Sequence, residues 1–268
     1  VGVILSIDGD AFIYRCGFAA EKTKYLVEGN GDYFPYDTAK EAAAHENGGN
    51  IWSRKEYEPV ENAIHLLQLS LDKVFNRYDW DTIRVHLSPS VGNFRDRVAT
   101  RAKYKGNRDA AARPKHHKAL REYLVNKWNA QIAEGQEADD AIGIDMSKWK
   151  SGEVVGASFD KDLLQIPGVH YDWTKDEEVT VTPKAGMLAF YGQVLSGDST
   201  DNVPGIEGIG PARAKRLLDG VKSSRDCWRI VLDAYKEAYG DKAEAYAIET
   251  ARLVWVRRKP DEMWVPPT

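Results

Sequence analysis

Nine carboxylates fall in four short clusters along the chain. They are Asp8 and Asp10 in IDGD, Glu137, Asp139 and Asp140 in EADDAIG, Asp160 and Asp162 in SFDKD, and Asp198 and Asp201 in GDSTDN. Each cluster alone has an ordinary explanation: acids in a first helical turn complement the helix dipole, Asp caps helices, and GDSTDN is turn composition. Together they are harder to dismiss. Carboxylates gathered at one place repel one another unless cations neutralise them. An oxygen-only donor set selects hard ions, Mg²⁺ or Mn²⁺. His and Cys do not join the clusters, which argues against zinc. A second feature has the opposite sign. Residues 93–121 carry ten basic side chains (Arg95, Arg97, Arg101, Lys103, Lys105, Arg108, Arg113, Lys115, Lys118 and Arg121) against Asp96 and Asp109. Such a stripe is the electrostatic footprint of a polyanion.

The elements that must hold these residues follow from the hydropathy pattern. VILSI (3–7), TIRVHLS (82–88) and EVVGASF (153–159) read as buried strands, and 169–173 with 178–182 as shorter ones. Residues 11–20 read as a helix. Ile64, Leu67, Leu71, Val74 and Phe75 recur at helical spacing, which makes 56–78 an amphipathic helix. Residues 21–55 give no clear pattern. Strands separated by helices predict crossover units and a mostly parallel sheet, whose ligands sit at the carboxyl ends of strands. Asp8 and Asp160 follow strands directly, and Glu137, Asp139 and Asp140 open the helix before the third strand. Pro183 opens a helix to about Leu195, and 211–219, 223–239 and 241–256 continue as an all-helical extension.

Composition sets the outer bounds. The chain has 268 residues, 37 Lys+Arg, 41 Asp+Glu and 43% hydrophobic residues, enough for a sizeable core. The net charge of −4 conceals the opposition between the acidic clusters and the basic segment. Cys16 and Cys227 cannot build a disulfide framework or a zinc site. No apolar run approaches a membrane span, and VGVILSI lacks the features of a secretory signal. A soluble, cytoplasmic protein with no membrane partner is expected.

Five blocks, in order, resemble the 5′-nuclease superfamily: IDGD (7–10), FRDRVATRAKYKGNR (94–108), EGQEADDAIG (134–143), SFDKDLLQIPG (158–168) and GDSTDNVPGIEGIGPARA (197–214). That group holds flap endonucleases, the 5′→3′ exonuclease domain of bacterial DNA polymerase I and the stand-alone exonucleases of tailed phages, the last being most similar. The resemblance implies an α/β, PIN-like three-layer body over 1–182 with a mostly parallel central sheet. It also implies a helical extension over 183–268, with a helix–hairpin–helix-type DNA-binding motif at about 197–220. Asp8, Glu137 and Asp139 would hold a first divalent metal, and Asp140, Asp160, Asp162, Asp198 and Asp201 a second. One departure is visible: TIRVHLS ends at Ser88-Pro89, where most of the family has an Asp. Asp10 either compensates or caps the helix that follows.

The same resemblance makes residues 93–121 a helical arch over the active site. Lys105 and Arg108 would contact the scissile phosphate, sharing a face if helical, and Tyr104 would stack on an unpaired base or pack in the core. Arg95, Arg101 and Lys103 would contact DNA. So would Gly205, Gly208, Gly210, Arg213, Lys215 and Arg216 at the glycine hairpin, where loop carbonyls of 205–210 would hold K⁺. The expected activity is Mg²⁺- or Mn²⁺-dependent hydrolysis at 5′ ends or 5′ flaps of duplex DNA, by a monomer, extending to primers in RNA–DNA hybrids. A PIN-type ribonuclease and a catalytically weakened DNA-structure binder are the rivals.

Overall fold

A computed structural model describes residues 2–29, 31–45, 48–108, 113–148 and 152–268. Its first strand, β1 (Val3–Asp8), alternates in the way a two-sided core demands. Leu5 and Ile7 enter one buried cluster, while Ile4 packs against another on the opposite face. After β1 the chain turns into α1 (Gly9–Ala19). It then builds β2 (Glu21–Gly29), β3 (Asp32–Tyr36), the short α2 (Ala39–Ala43) and β4 (Ile51–Tyr57). Helix α3 (Val60–Arg77) returns to the body and leads into β5 (Trp80–Leu87). The single turn α4 (Arg95–Val98), helix α5 (His117–Trp128), β6 (Gln131–Ile132) and α6 (Ala138–Lys148) follow. Next come β7 (Val154–Ala157), β8 (Gly168–Asp172) and β9 (Glu177–Val181). Helix α7 (Pro183–Ser196) opens the last third, with β10 (Gly197–Asp198), β11 (Val203–Pro204), α8 (Pro211–Leu217), α9 (Ser224–Tyr239) and α10 (Ala243–Val254).

The main sheet has the order β6-β5-β1-β7-β8-β9 and is parallel except for β9. Strand β1 is flanked by β5 and β7, so successive crossovers go to opposite sides of it. That reversal opens a crevice at the carboxyl ends of β1 and β7, where open α/β sheets bind ligands. Helices α1, α3 and α5 cover one face, with Leu67, Leu71, Leu120 and Leu124 fully buried. Helix α6 covers the other through Ile142 and Met146. The mostly parallel sheet between helical layers matches the expected class.

Residues 21–57, unreadable in the sequence, form a separate antiparallel sheet of order β3-β2-β4. Its foot meets the end of the basic segment, where the Lys115 amide donates to Glu21 and His116 Nε2 lies 2.7 Å from the Glu58 carbonyl. The expected helical extension is present, with one addition: β10 and β11 pair as a two-residue antiparallel ladder. Its packing requires glycine at both ends. A Cβ on Gly197 would lie 2.3 Å from the Gly205 amide nitrogen, and one on Gly205 would lie 2.2 Å from the Ser196 carbonyl carbon.

Candidate metal and nucleic-acid site

Asp8 ends β1 and caps α1. One oxygen accepts from the Ala11 amide at 3.0 Å and the other from the Ser158 hydroxyl at 2.8 Å, so the carboxylate ties the ends of β1 and β7 together. Asp10 therefore is not the cap. It sits in the first turn of α1, accepts from the Ser88 amide at 2.7 Å and lies 3.5 Å from Arg121. Ser88, where the family pattern has an acid, is structural: its hydroxyl accepts from the Ala138 amide at the start of α6 and its carbonyl accepts from Arg121.

Helix α6 opens with Glu137 just before it and Asp139 inside its first turn. Burial pushes the Asp139 carboxyl well above the ordinary range, and the charges of Asp8, Asp160 and Glu137 push it further. Among the described residues it makes no hydrogen bond or ion pair. Burial and the charge of Asp10 likewise raise Asp8 to about 7. On the β7 side, Asp160 is raised by burial and by Asp201 and Asp198, and Asp162 reaches about 7 through burial and Asp160. The β10–β11 turn presents Asp198, whose carboxylate accepts from the Thr200 amide at 2.7 Å, and Asp201. The structure thus gathers Asp8, Glu137, Asp139, Asp160, Asp162, Asp198 and Asp201 into one connected carboxylate cluster.

Positive charge reaches this crevice from the basic segment. Lys105 donates to Glu137 and lies 3.6 Å from Asp201, and Arg108 pairs with Asp201. Burial would lower the Lys105 ammonium, but Glu137 and Asp201 outweigh it and hold the group above its usual value. Lys105 and Arg108 do not share a helix face, because Lys105 has φ +52° in a turn. Hydrogen bonds fix that turn to the acidic loop instead: the Lys105 amide donates to the Asp201 carbonyl at 2.8 Å, and the Asn107 side-chain Nδ2 to the Ser199 carbonyl at 2.7 Å. Tyr104 is 6% exposed, and its hydroxyl lies 2.9 Å from Glu137 and 2.7 Å from Asp201. It bridges the two acidic groups and has no free ring face for a base. The described part of the expected arch is the single turn α4, turns and the start of α5 from His117; residues 109–112 lie outside the described residues.

Four expected roles are corrected. Asp140 is fully buried and both oxygens are taken: Arg95 grips it at 2.6 and 3.0 Å, and the amides of Arg257 and Glu137 each donate at 3.0 Å. Burial alone would raise it, but the Arg95 guanidinium outweighs burial and holds it below the ordinary range. It is a strut, not a metal ligand. Arg95, 3% exposed, also donates to the Leu253 and Trp255 carbonyls at 2.8 Å and cannot meet DNA. Arg101 spends its guanidinium on the Pro204 and Gly205 carbonyls, Thr250 and Tyr239, and stacks over Tyr246. Gly205 serves the close backbone crossing described above, and its carbonyl accepts from Tyr239 at 2.8 Å. Lys103, Gly208, Gly210, Arg213, Lys215 and Arg216 are exposed.

Three contributors carried no sequence signal that isolates them. Ser158 orients Asp8; Gln193 on α7 donates to Asp162 at 2.6 Å; Lys161 lies 3.6 Å from Asp198. Beneath the crevice, Asp145 of α6 accepts from Ser6 and Arg84 and pairs with His86 at 3.0 Å, locking α6 onto β1 and β5.

The donor chemistry fits hard divalent ions: all-oxygen, concentrated, and short of neutralising charge. Among the described residues no three of these groups close on one common point. Lys105 and Arg108 supply part of the counter-charge between Glu137 and Asp201.

No family model matches the chain. Among curated proteins it is 41% identical over 102 residues to DNA polymerase I of Rhizobium leguminosarum, covering 32% of this chain and 10% of that one. It is 33% identical over 147 residues to a 5′-3′ exonuclease of Mycoplasmopsis pulmonis, covering 47% and 49%. To flap endonuclease Xni of Shewanella frigidimarina it is 32% identical over 152 residues, covering 50% and 57%. The chain therefore spans a tenth to somewhat over half of these relatives' lengths. A solved structure of T5 5′-exonuclease with bound zinc overlaps 94% of this chain at 17% identity and a TM-score of 0.49. Over up to half its length, then, the chain is similar in sequence to proteins named DNA polymerase I, 5′-3′ exonuclease and flap endonuclease Xni.

Proposed function

We propose that the protein is a divalent-metal-dependent 5′-nuclease, hydrolysing phosphodiesters at 5′ ends or 5′ flaps of duplex DNA and, in RNA–DNA hybrids, at primers. One observation carries the reading: carboxylates from the ends of β1 and β7, the start of α6 and the β10–β11 turn interact in one cluster, four of them pushed upward by burial and mutual repulsion, with Lys105 and Arg108 paired to it. Asp8, Glu137 and Asp139 would hold one Mg²⁺ or Mn²⁺, and Asp160, Asp162, Asp198 and Asp201 a second. Such ions, when bound, supply a hydroxide at neutral pH and stabilise the attacking and leaving oxygens of an in-line displacement.

The chain's own groups do the positioning. Ser158 and the α1 amide fix Asp8, while Tyr104 sets the spacing of Glu137 and Asp201. Lys105 and Arg108 lie where an incoming phosphate would meet the crevice, and exchanging carboxylate for phosphate keeps both cations paired as negative charge develops. Lys103 on one side and Arg213, Lys215 and Arg216 on the other would contact backbone phosphates without reading sequence. The seven-residue α8 is too short for its dipole to act as the grip, so those cations carry that part. The working division is a nuclease body over 1–182 and a duplex-holding helical part over 183–268.

The test uses 5′-labelled flap DNA, blunt duplex DNA and single-stranded RNA, each with Mg²⁺ and with EDTA. Metal-dependent release from flap or duplex is expected. Cleavage of RNA alone would replace this reading with a ribonuclease, and no metal-dependent release from any substrate would end the enzyme reading.

A further inference from the structure

A cleft of about 450 Å³ lies outside the carboxylate crevice, between the end of α3 and the β8–β9 hairpin. Lys73, Asn76 and Arg77 line it from α3, and Trp173 and Lys175 from the hairpin. Lys73 and Arg77 are four residues apart and so share a helix face. Among the described residues neither makes an ion pair. The ordinary explanation for both is compensation of the negative end of α3. Lys175 enters from the opposite wall, paired with Asp172 at 2.9 Å. Trp173 is 4% exposed, and its indole Nε1 is buried with no hydrogen-bond partner among the described residues, so the ring is a wall of the cleft and not a donor into it. The acids nearby are already engaged, Asp176 by the Tyr171 hydroxyl at 2.8 Å and Asp172 by Lys175 and Thr174. Lys73 and Arg77 therefore line the cleft without a paired acid, and Lys175 can exchange Asp172 for an anion, which together is the chemistry of a phosphate site.

Size and position narrow the ligand. The volume is that of a small-molecule site, several times what a bare phosphate fills. Trp173, one wall of the cleft, is held by two aromatic contacts. Trp173 stacks on Phe12 at 4.0 Å, and its ring meets the edge of Phe159 at 5.8 Å. Phe159 is 42% exposed and adjoins Asp160 in sequence, whereas Phe12 and Trp173 are buried, so one open ring lies between the cleft and Asp160.

We infer that this cleft is a second phosphate-binding site that takes a nucleotide unit, with Lys73, Arg77 and Lys175 as its donors and the Trp173 ring as part of its wall. The unit is either a free mononucleotide or part of a single strand; the second source rests on the nuclease reading and the first does not.

The experiment reads the site directly and without catalysis. Protein ¹⁵N-labelled at its eight tryptophans is titrated in EDTA with dAMP, with 5′-phosphorylated (dT)₄ and with deoxyadenosine. The Trp173 indole signal is the one missing in Trp173→Phe, and the remaining indole signals report that the variants fold. A saturable shift of the Trp173 signal with dAMP or (dT)₄, absent with deoxyadenosine, is expected. In Lys73→Ala/Arg77→Ala the affinity should fall by about tenfold or more, the worth of losing charge-assisted bonds to phosphate. Equal responses to both probes assign a free nucleotide, and a tighter response to (dT)₄ assigns the strand. No shift with either probe, or one unchanged in the double variant, overturns the inference. Cleavage plays no part, so its failure leaves this result standing.

Discussion

Replacing Arg95 by Met should destabilise the protein whether or not metal is present. Arg95 makes two bonds to Asp140 and one each to the Leu253 and Trp255 carbonyls, all within 3.0 Å. Without it, the fully buried Asp140 carboxylate keeps only two backbone donors and no counter-charge. Breaking a buried pair from one side costs about 3–5 kcal/mol. At about 2 °C per kcal/mol for a chain of this size, Tm should fall by roughly 6–10 °C. Asp140→Leu should cost a similar amount, and the double variant Arg95→Met/Asp140→Leu far less than the sum, because two apolar groups leave nothing unpaired. Thermal melts of the four proteins in EDTA and in Mg²⁺ measure the cycle. Additive losses, or a Tm within about 1 °C of wild type for Arg95→Met, would refute the strut. A loss for Asp140→Leu confined to the Mg²⁺-dependent part of Tm would restore Asp140 as a metal ligand.

Three further outcomes follow from the same geometry. Lys105→Ala should slow single-turnover cleavage by roughly 10²-fold while weakening flap-DNA binding much less, as expected for a donor aimed at developing charge; a defect in binding alone, removed by lowering salt, would reduce it to one phosphate contact among many. Tyr104→Phe should impair cleavage at unchanged fold, measured by rate and near-UV circular dichroism together, because only the hydroxyl that spaces Glu137 and Asp201 is lost; wild-type rates would show that the bridge does nothing. Burial raises the Asp145 carboxyl, but its bonds and charge contacts with His86, then Arg84 and Ser6, more than reverse this and hold it below the ordinary range. A depressed carboxyl contributes stability above its unfolded pKa, about 3.9, and loses it as pH falls through the folded value. Asp145→Asn should therefore cost about 1–3 kcal/mol at pH 7 and progressively less below about pH 4; a difference that does not shrink with acid would contradict the ionised network.

What could be read from the sequence was whatever local pattern decides. The α3 stripe of Leu67, Leu71 and Val74, the apolar runs of β1 and β5, and the Pro183 helix start all specify their elements within a few residues. The three-stranded sheet over 21–57 escaped because it packs little into the main core. Strand β4 is almost wholly exposed, so IWSRKEY shows no buried alternation. At the site, the acidic clusters were visible but their division of labour was not. Asp139 and Asp140 are adjacent and chemically identical, yet helix geometry turns one toward Asp8 and Asp160 and the other onto Arg95. Arg95 and Arg101 look like strand contacts by composition, and only the fold shows that Leu253, Trp255 and Pro204 have already claimed them. Gln193 sits mid-helix in α7, and nothing local distinguishes it from an ordinary surface glutamine.

The central claim is that the carboxylate cluster holds two divalent-metal sites. Counting free Mn²⁺ by electron paramagnetic resonance while titrating metal-free protein tests it most directly. The account predicts at least two bound ions per chain, one lost in Asp139→Asn and a different one lost in Asp162→Asn, with none lost in Lys103→Ala. Wild-type protein that binds no Mn²⁺, or variants that bind as many ions as wild type, would contradict it.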